Sequence, residues 1–363
     1  MPDEVKLTQA FLLAQKAMNK QTIIKDFSAL GSKMVTLSGE IEKEPYTTVF
    51  QKANTDNPWF TFKFMAEAFR AVGQSLAPEK LEKWLSAYTL PEKPAPKTIG
   101  LVLAGNIPLV GFHDILCTLV SGHNVLAKLS SKDQHLYSIL KNLLTEINPV
   151  YDQRITFTDR NLQGMDAIIA TGSDNSARYF DYYFAKYPHI IRKNRNSLAI
   201  LAGDETDAEL ELLADDIFMY FGLGCRNVSM LWLPESFPID RLFRSFEKYY
   251  PLIDHHKYGN NYEYQRAIKL LNQETFLDNN MVLLKEDARL ASPIAVVHYQ
   301  WYASPQKAIN YIDFHGDKIQ CVVSKTKWPF DSYELGAAQK PELWDYADQV
   351  DTLSFLLNLN TAV

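Results

Sequence analysis

Apolar residues along this chain recur first with helical spacing and then in short runs. In "LTQAFLLAQKAM" and "FTFKFMAEAFRAVGQSL" they return every three or four positions, which predicts mostly helix through residues 1–90. The proline-rich "LPEKPAPK", residues 90–97, reads as a linker that closes this region. Beyond it the period changes. "TIGLVLAG" reads as a buried strand, "PLVGFHDILCTLVSG" as a helix closed by Gly122, "HNVLAKL" as a strand and "DQHLYSILKNLLTEI" as a helix. "RITFT" and "DAIIATG" follow as strands, and "SDNSARYFDYYFAKY" as a helix. A second alternating set starts near residue 197. It has strands "SLAILAG", "VSMLWLP", "NMVLLK", "IAVVHYQW" and "IQCVVS", and helices "DAELELLADDIFMYFG", "IDRLFRSFEKYY" and "PQKAINYIDF". Strands alternating with helices predict parallel sheets covered on both faces. Two such sets predict two α/β domains with a cleft between them, a favoured place for ligands.

Composition narrows the function classes. The 363 residues are 47% hydrophobic and 22% charged, the balance of an ordinary globular protein. A net charge of −6 without a long basic run argues against nucleic acid as partner, since phosphate neutralisation needs clustered cations. No apolar run approaches the roughly 18 residues of a membrane span. The N-terminal residues lack the signature of a signal peptide. Three widely spaced cysteines make no disulfide framework, so the expected compartment is cytoplasmic and reducing.

Four places along the alternating region carry candidate chemistry. Gly105-Asn106 ends a strand, where an Asn either faces the ligand crevice or caps the next helix. Lys128 closes an apolar strand ahead of Ser130, Ser131 and Lys132, and such a lysine reaches either solvent or a polyanion. Thr171-Gly172-Ser173 lies between a strand and a helix N-terminus, where backbone N–H groups and the helix dipole favour a phosphate, although the G-x-G-x-x-G spacing is absent. Cys225 follows Gly222-Leu223-Gly224, outside any apolar run, with Arg226 as the neighbouring cation that could favour a thiolate. From these residues alone the thiol is either reactive or buried. Cys117 and Cys321 lie within apolar runs and read as core. His255-His256, with Tyr258 and Tyr262, reads as a solvated loop, and no metal site is expected. His113 reads as structural.

Taken in order, these stations resemble the aldehyde dehydrogenase superfamily. "GNIPL" is similar to its N-F-P-L station, "SGHNVLAKLSS" to its A-G-N-x-V-x-K-P-S-E segment, "ATGS" to its T-G-S turn and "FGLGCRNVSMLWL" to its G-Q-x-C nucleophile segment. The resemblance covers about residues 98–325, and the tail "GAAQKPELWDYADQVDTLSFLL" resembles the fatty acyl-CoA reductases of bacterial luminescence. The implied fold is α/β: two Rossmann-like domains with a helical N-terminal region and a C-terminal tail. Its implied boundaries are residues 1–97 (helical, packing on the cofactor domain), 98–196 (cofactor binding), 197–325 (the catalytic cysteine) and 326–363 (a tail returning to the body or to an oligomer interface).

The resemblance implies NADPH-dependent reduction of a long-chain fatty acyl-CoA to the aldehyde through a thioester on Cys225. Asn106 and the Cys225 backbone N–H would hold the oxyanion. Lys128 would hold the adenosine ribose within a cofactor station that includes Ser130, Ser131 and Lys132. Thr171, Gly172 and Ser173 would line the pyrophosphate site. It also implies a homo-oligomer and a partner enzyme that delivers acyl groups or consumes aldehyde. Three departures qualify it. Arg192 stands where oxidising members carry the Glu that activates water, which favours acyl transfer to a thiol over hydrolysis. Ser131 replaces the Glu of NAD-preferring members, with Lys132 beside it, which favours NADPH. Arg289 stands where a Glu would steady the nicotinamide ribose. Two rival readings are an acyltransferase or thioesterase using the same cysteine, and a non-catalytic nucleotide-binding relative.

Overall fold

The structure is a computed structural model that describes residues 19–91 and 95–359. The reading of "LTQAFLLAQKAM" as a helix lies outside those residues. The described chain separates into two compact units, one running to Lys193 and resuming at Glu342, the other Asn194–Pro341.

Among the described residues the first unit opens with four helices, α1 (Lys20–Ser38), α2 (Thr47–Asp56), α3 (Phe62–Ser75) and α4 (Pro78–Ser86). Asn19 caps α1 through the Thr22 N–H, and Pro78 starts α4, where its missing N–H costs nothing. The sheet follows as β1 (Thr98–Val102), α5 (Phe112–Val120), β2 (Asn124–Lys128), α6 (His135–Ile147), α7 (Val150–Arg154), β3 (Ile155–Thr158), β4 (Ala167–Thr171), α8 (Asp174–Phe184) and β5 (His189–Arg192). All its pairings are parallel, in the order β3-β2-β1-β4-β5. Parallel strands need both faces covered. One face joins Phe27, Leu30, Trp84, Leu116 and Leu140 in a single core, and the other packs Ile168 and Ala170 against Phe180 and Phe184 of α8. The chain returns at its end to add Leu353 and Leu356 to the first of these cores.

The second unit holds β6 (Asn196–Ile200), α9 (Asp207–Phe218), β7 (Val228–Pro234), α10 (Asp240–Ser245), α11 (His256–Leu271), β8 (Leu277–Asp278), β9 (Leu283–Glu286), β10 (Val296–Tyr302), α12 (Pro305–His315) and β11 (Ile319–Val323). Its sheet runs β11-β6-β7-β10-β9-β8, parallel except for the short β8 edge. Thr206 and Glu209 form a capping box that starts α9, satisfying two of its first N–H groups. Two expectations are corrected. The helix expected over "IDRLFRSFEKYY" stops at Ser245, and the chain continues in a tighter turn over Glu247–Asp254 that contains Pro251. His255-His256 is not an isolated solvated loop: His256 begins α11, whose Tyr258 and Tyr262 are buried.

Candidate active site

Asn106 lies in the loop between β1 and α5 with its side chain exposed. The N-cap of α5 is Gly111, so Asn106 does not cap that helix and its amide is presented to solvent. The loop is tied to the segment after β2. The Leu109 N–H donates to Asp133 Oδ2 at 2.8 Å, the Gly111 N–H donates to the Tyr137 hydroxyl at 2.9 Å, and Asn57 Nδ2 donates to both the Gly105 and Lys132 carbonyls at 3.4 Å. Leu109 itself sits at φ 56°, a left-handed conformation that a side chain adopts only when its surroundings enforce it.

Lys128 ends β2 half-buried, with Ser130 partly covered and Ser131 and Lys132 exposed beyond it. Ser130 Oγ accepts the Lys132 N–H at 3.3 Å, which turns the chain before α6. Asp133 is buried, and burial pushes its carboxyl up to about 8 against the pull of the Leu109 N–H. Near neutral pH the Asp133 carboxyl is therefore mostly protonated, and the residues around it offer two lysines and two hydroxyls.

The Thr171-Gly172-Ser173 turn follows β4. Gly172 gives its N–H to the Arg192 carbonyl at 3.2 Å, and Ser173 Oγ accepts the Ser176 N–H at 3.3 Å as the N-cap of α8. Asp174 adds a carboxylate to the first turn of α8. The helix end is thus partly satisfied by its own residues, and it offers an anion less than the β2 station does.

Arg192 ends β5 in the interior of the first unit. Its Nη1 meets Asp114 Oδ2 at 2.6 Å and its Nη2 donates to Thr352 Oγ1 at 2.8 Å. Burial works to lower the guanidinium's pKa, but Asp114 outweighs it and holds it above the ordinary value. Arg192, expected from the resemblance to stand at the position of the water-activating Glu, is a buried strut between α5, β5 and the C-terminal helix Thr352–Asn358. His113 likewise contacts the Leu343 carbonyl at 2.9 Å, a structural role.

Cys225 belongs to the second unit. After α9 the chain makes a left-handed turn with Tyr220, Phe221 and Gly222 at φ 54°, 60° and 74°, then passes Gly224 at φ 101° to reach the cysteine. Two non-glycine residues in that region mark a backbone held by its packing, a strain that concentrates at functional sites. Tyr220 and Phe221 are indeed buried. Cys225 is only partly buried, unlike Cys117 and Cys321, and none of the three forms a disulfide. Arg226 lies with its guanidinium carbon 5.1 Å from the Tyr333 ring centroid, and its Nη1 reaches the Ala338 carbonyl at 3.5 Å. Burial lowers its pKa, while Cys321, Tyr333 and Cys225 raise it to a net upward shift. Burial also pushes the Cys321 thiol up to about 11, which leaves it protonated near neutral pH.

The carbonyl of Cys225 accepts a 3.0 Å hydrogen bond from Ser197 Oγ on β6. Asp216, on α9, accepts the Gly336 and Ala338 N–H groups at 2.6 and 2.9 Å, fixing the strap that carries Arg226's acceptor. Arg289 is engaged by Asp287 through its guanidinium, with Nη2 at 2.6 Å from Oδ2. Sequence reasoning missed Asp114, Asp133, Ser197 and Asp216. All four are polar residues that become buried through partners far along the chain, and a local pattern carries no trace of that.

The fold also stands among known structures. An indole-3-acetaldehyde dehydrogenase from P. syringae, solved with NAD+, aligns with a TM-score of 0.64 over 89% of this chain and 75% of its own, at 12% identity. A Mycobacterium tuberculosis aldehyde dehydrogenase aligns at 0.59 over 87% and 77%, at 15% identity. This chain has the aldehyde dehydrogenase fold. Its residues 71–236 match the LuxC acyl-CoA reductase family. A long-chain acyl-protein thioester reductase of Aliivibrio fischeri is 23% identical over 214 residues, which span 54% of this chain and 44% of that relative. The resemblance read from the sequence is borne out in these terms: the fold is that of the aldehyde dehydrogenases, and residues 71–236 match the acyl-CoA reductase family. Among the described residues no helix is long and apolar enough to cross a membrane.

Proposed function

We propose that this chain reduces a long-chain acyl thioester, as acyl-CoA, to the aldehyde with NADPH, using Cys225 as the nucleophile. The observation that carries the reading is the seat of Cys225: a partly exposed cysteine at the end of a strained, glycine-bearing turn, within the residues 71–236 that match the acyl-CoA reductases. In this reading the Cys225 thiolate attacks the thioester carbonyl, a carbon–sulfur bond forms, and the carbonyl electrons move onto oxygen. Asn106 and the Cys225 backbone N–H donate to that oxyanion, each such donor contributing on the order of a hundred- to a thousand-fold in rate. Coenzyme A leaves as its thiolate and the acyl group stays on Cys225.

Bound nicotinamide cofactor would supply the hydride that takes the acyl carbon to the aldehyde level. The residues after β2 fit that group: Lys128 and Lys132 offer cations, Ser130 and Ser131 offer hydroxyls, and Asp133 is held mostly protonated by burial. A 2′-phosphate there meets attraction with no facing carboxylate from these five residues, which supports NADPH over NADH. Thr171, Gly172 and Ser173 line the pyrophosphate in the same reading. Solved structures of the same fold contain NAD+, consistent with a nicotinamide dinucleotide. With Arg192 committed to Asp114, that position offers no general base for water, which supports passing the acyl group between thiols and hydride.

The test is NADPH oxidation against acyl-CoAs from short to long chain. The proposal expects turnover that rises with chain length, produces aldehyde and is lost in Cys225→Ala. Coenzyme A release without NADPH consumption would instead establish a thioesterase or acyltransferase. The further expectations of a homo-oligomer and of an acyl-delivering or aldehyde-consuming partner enzyme are part of the same proposal.

A further inference from the structure

We infer that Ser197 is a positioning residue for Cys225, acting through the nucleophile's own backbone. Ser197 is wholly buried on β6, where an unsatisfied hydroxyl is costly. Its Oγ donates to the Cys225 carbonyl at 3.0 Å and accepts the Cys321 N–H at 3.2 Å, with the Cys321 sulfur a further 3.0 Å contact. The Ser197 N–H also donates to the Asn227 carbonyl at 3.1 Å, on the far side of Arg226. One residue thus fastens the chain on both sides of Arg226 to strand β6, which lies between β11 and β7.

That fastening matters because the peptide carrying the Cys225 N–H is also held from beyond Arg226: the Gly224 carbonyl accepts the Asn227 N–H at 3.4 Å. Gly224 precedes it at φ 101° and Gly222 lies two residues further back at φ 74°. Gly224 has no side chain to hold its peptide, so the Cys225 N–H is aimed through the Asn227 contact, and Ser197 anchors both Asn227 and the Cys225 carbonyl. An oxyanion donor must be aimed before the reaction, and a small misdirection of the Cys225 N–H loses much of its effect. Cys321, protonated and buried, supports Ser197 and is not a second nucleophile.

The inference rests on the proposed acylation of Cys225, and the experiment separates the two. Wild type and Ser197→Ala are treated in parallel with iodoacetamide and with a long-chain acyl-CoA, and the Cys225 peptide is followed by mass spectrometry. Alkylation at carbon by iodoacetamide develops no oxyanion on a carbonyl under attack, so it reads the thiol alone. Ser197→Ala should alkylate Cys225 within about twofold of wild type, yet acylate it about ten- to a hundred-fold more slowly, below the full loss of a donor because the N–H is misdirected and not removed. Equal slowing of both reactions, or undiminished acylation, overturns the positioning role. Labelling of all three cysteines would signal lost packing, and Ser197→Thr, which keeps the hydroxyl, then carries the test. It should acylate like wild type, and slow acylation with normal alkylation would count against the inference. Absence of acylation in wild type would instead sink the proposed function.

Discussion

Replacing Arg192 with Met should destabilise the first unit far more than a surface ion pair could. The guanidinium and the Asp114 carboxylate have side-chain exposures of 8% and 5%, and they meet at 2.6 Å. Truncating one partner leaves the other charge buried, a loss of about 3–5 kcal/mol. The Thr352 hydroxyl also loses its Arg192 donor, adding on the order of 1 kcal/mol. The net expectation is therefore about 4–6 kcal/mol. Urea titration of intrinsic fluorescence measures it, with Trp84 reporting from the affected core. Arg192→Met combined with Asp114→Leu should recover most of the loss, because an apolar pair can replace a buried ion pair. A cost below about 1 kcal/mol for the single variant, or no recovery in the double, would refute the assignment of Arg192 as a strut. Arg192→Glu is the sharper version: it restores the carboxylate of oxidising relatives but sets it against Asp114, so it should unfold the unit before it yields an aldehyde-oxidising enzyme.

The remaining expectations are briefer. Burial raises the Asp133 carboxyl from an ordinary value near 4 to about 8, so the folded state holds the proton more tightly. That contribution is full below about pH 4 and is lost as pH rises through about 8. Wild type should therefore lose on the order of 3–5 kcal/mol more than Asp133→Asn between pH 5 and pH 9, and parallel urea midpoints for the two would contradict it. Ser131→Glu should lower kcat/KM for NADPH at least tenfold relative to NADH, through repulsion of the 2′-phosphate; an unchanged cofactor ratio places the phosphate elsewhere. Asp216→Leu leaves the Gly336 and Ala338 N–H groups without their carboxylate, at about 1–3 kcal/mol each, and should speed hydrogen exchange across residues 333–339.

The parts legible in the sequence are those with local causes. Apolar runs such as "AIIAT" and "VSMLW" become central parallel strands because burial on both faces removes the need for alternation. Ser173 and the Thr206–Glu209 pair mark helix starts through contacts three residues away. Helix α11 escaped notice because its buried residues are Tyr258, Tyr262 and Lys269 among Asn, Gln and charged neighbours, too sparse for an apolar period. The left-handed turn at Tyr220 and Phe221 is invisible in composition, since neither residue favours that conformation. The position of Cys225 on a glycine turn was readable. Its fastening by Ser197 and Cys321 was not, because those residues lie 28 and 96 positions away and come together only through the order of strands β11, β6 and β7.

The central claim is that Cys225 carries the acyl group. Incubating the protein with a long-chain acyl-CoA in the absence of nicotinamide nucleotide, then mapping the added mass by peptide, tests it most directly. The account predicts one acyl group on the Cys225 peptide, discharged to aldehyde when NADPH is added and absent from Cys225→Ala. An unmodified Cys225 alongside aldehyde production, or acyl mass on Cys117 or Cys321, would contradict it.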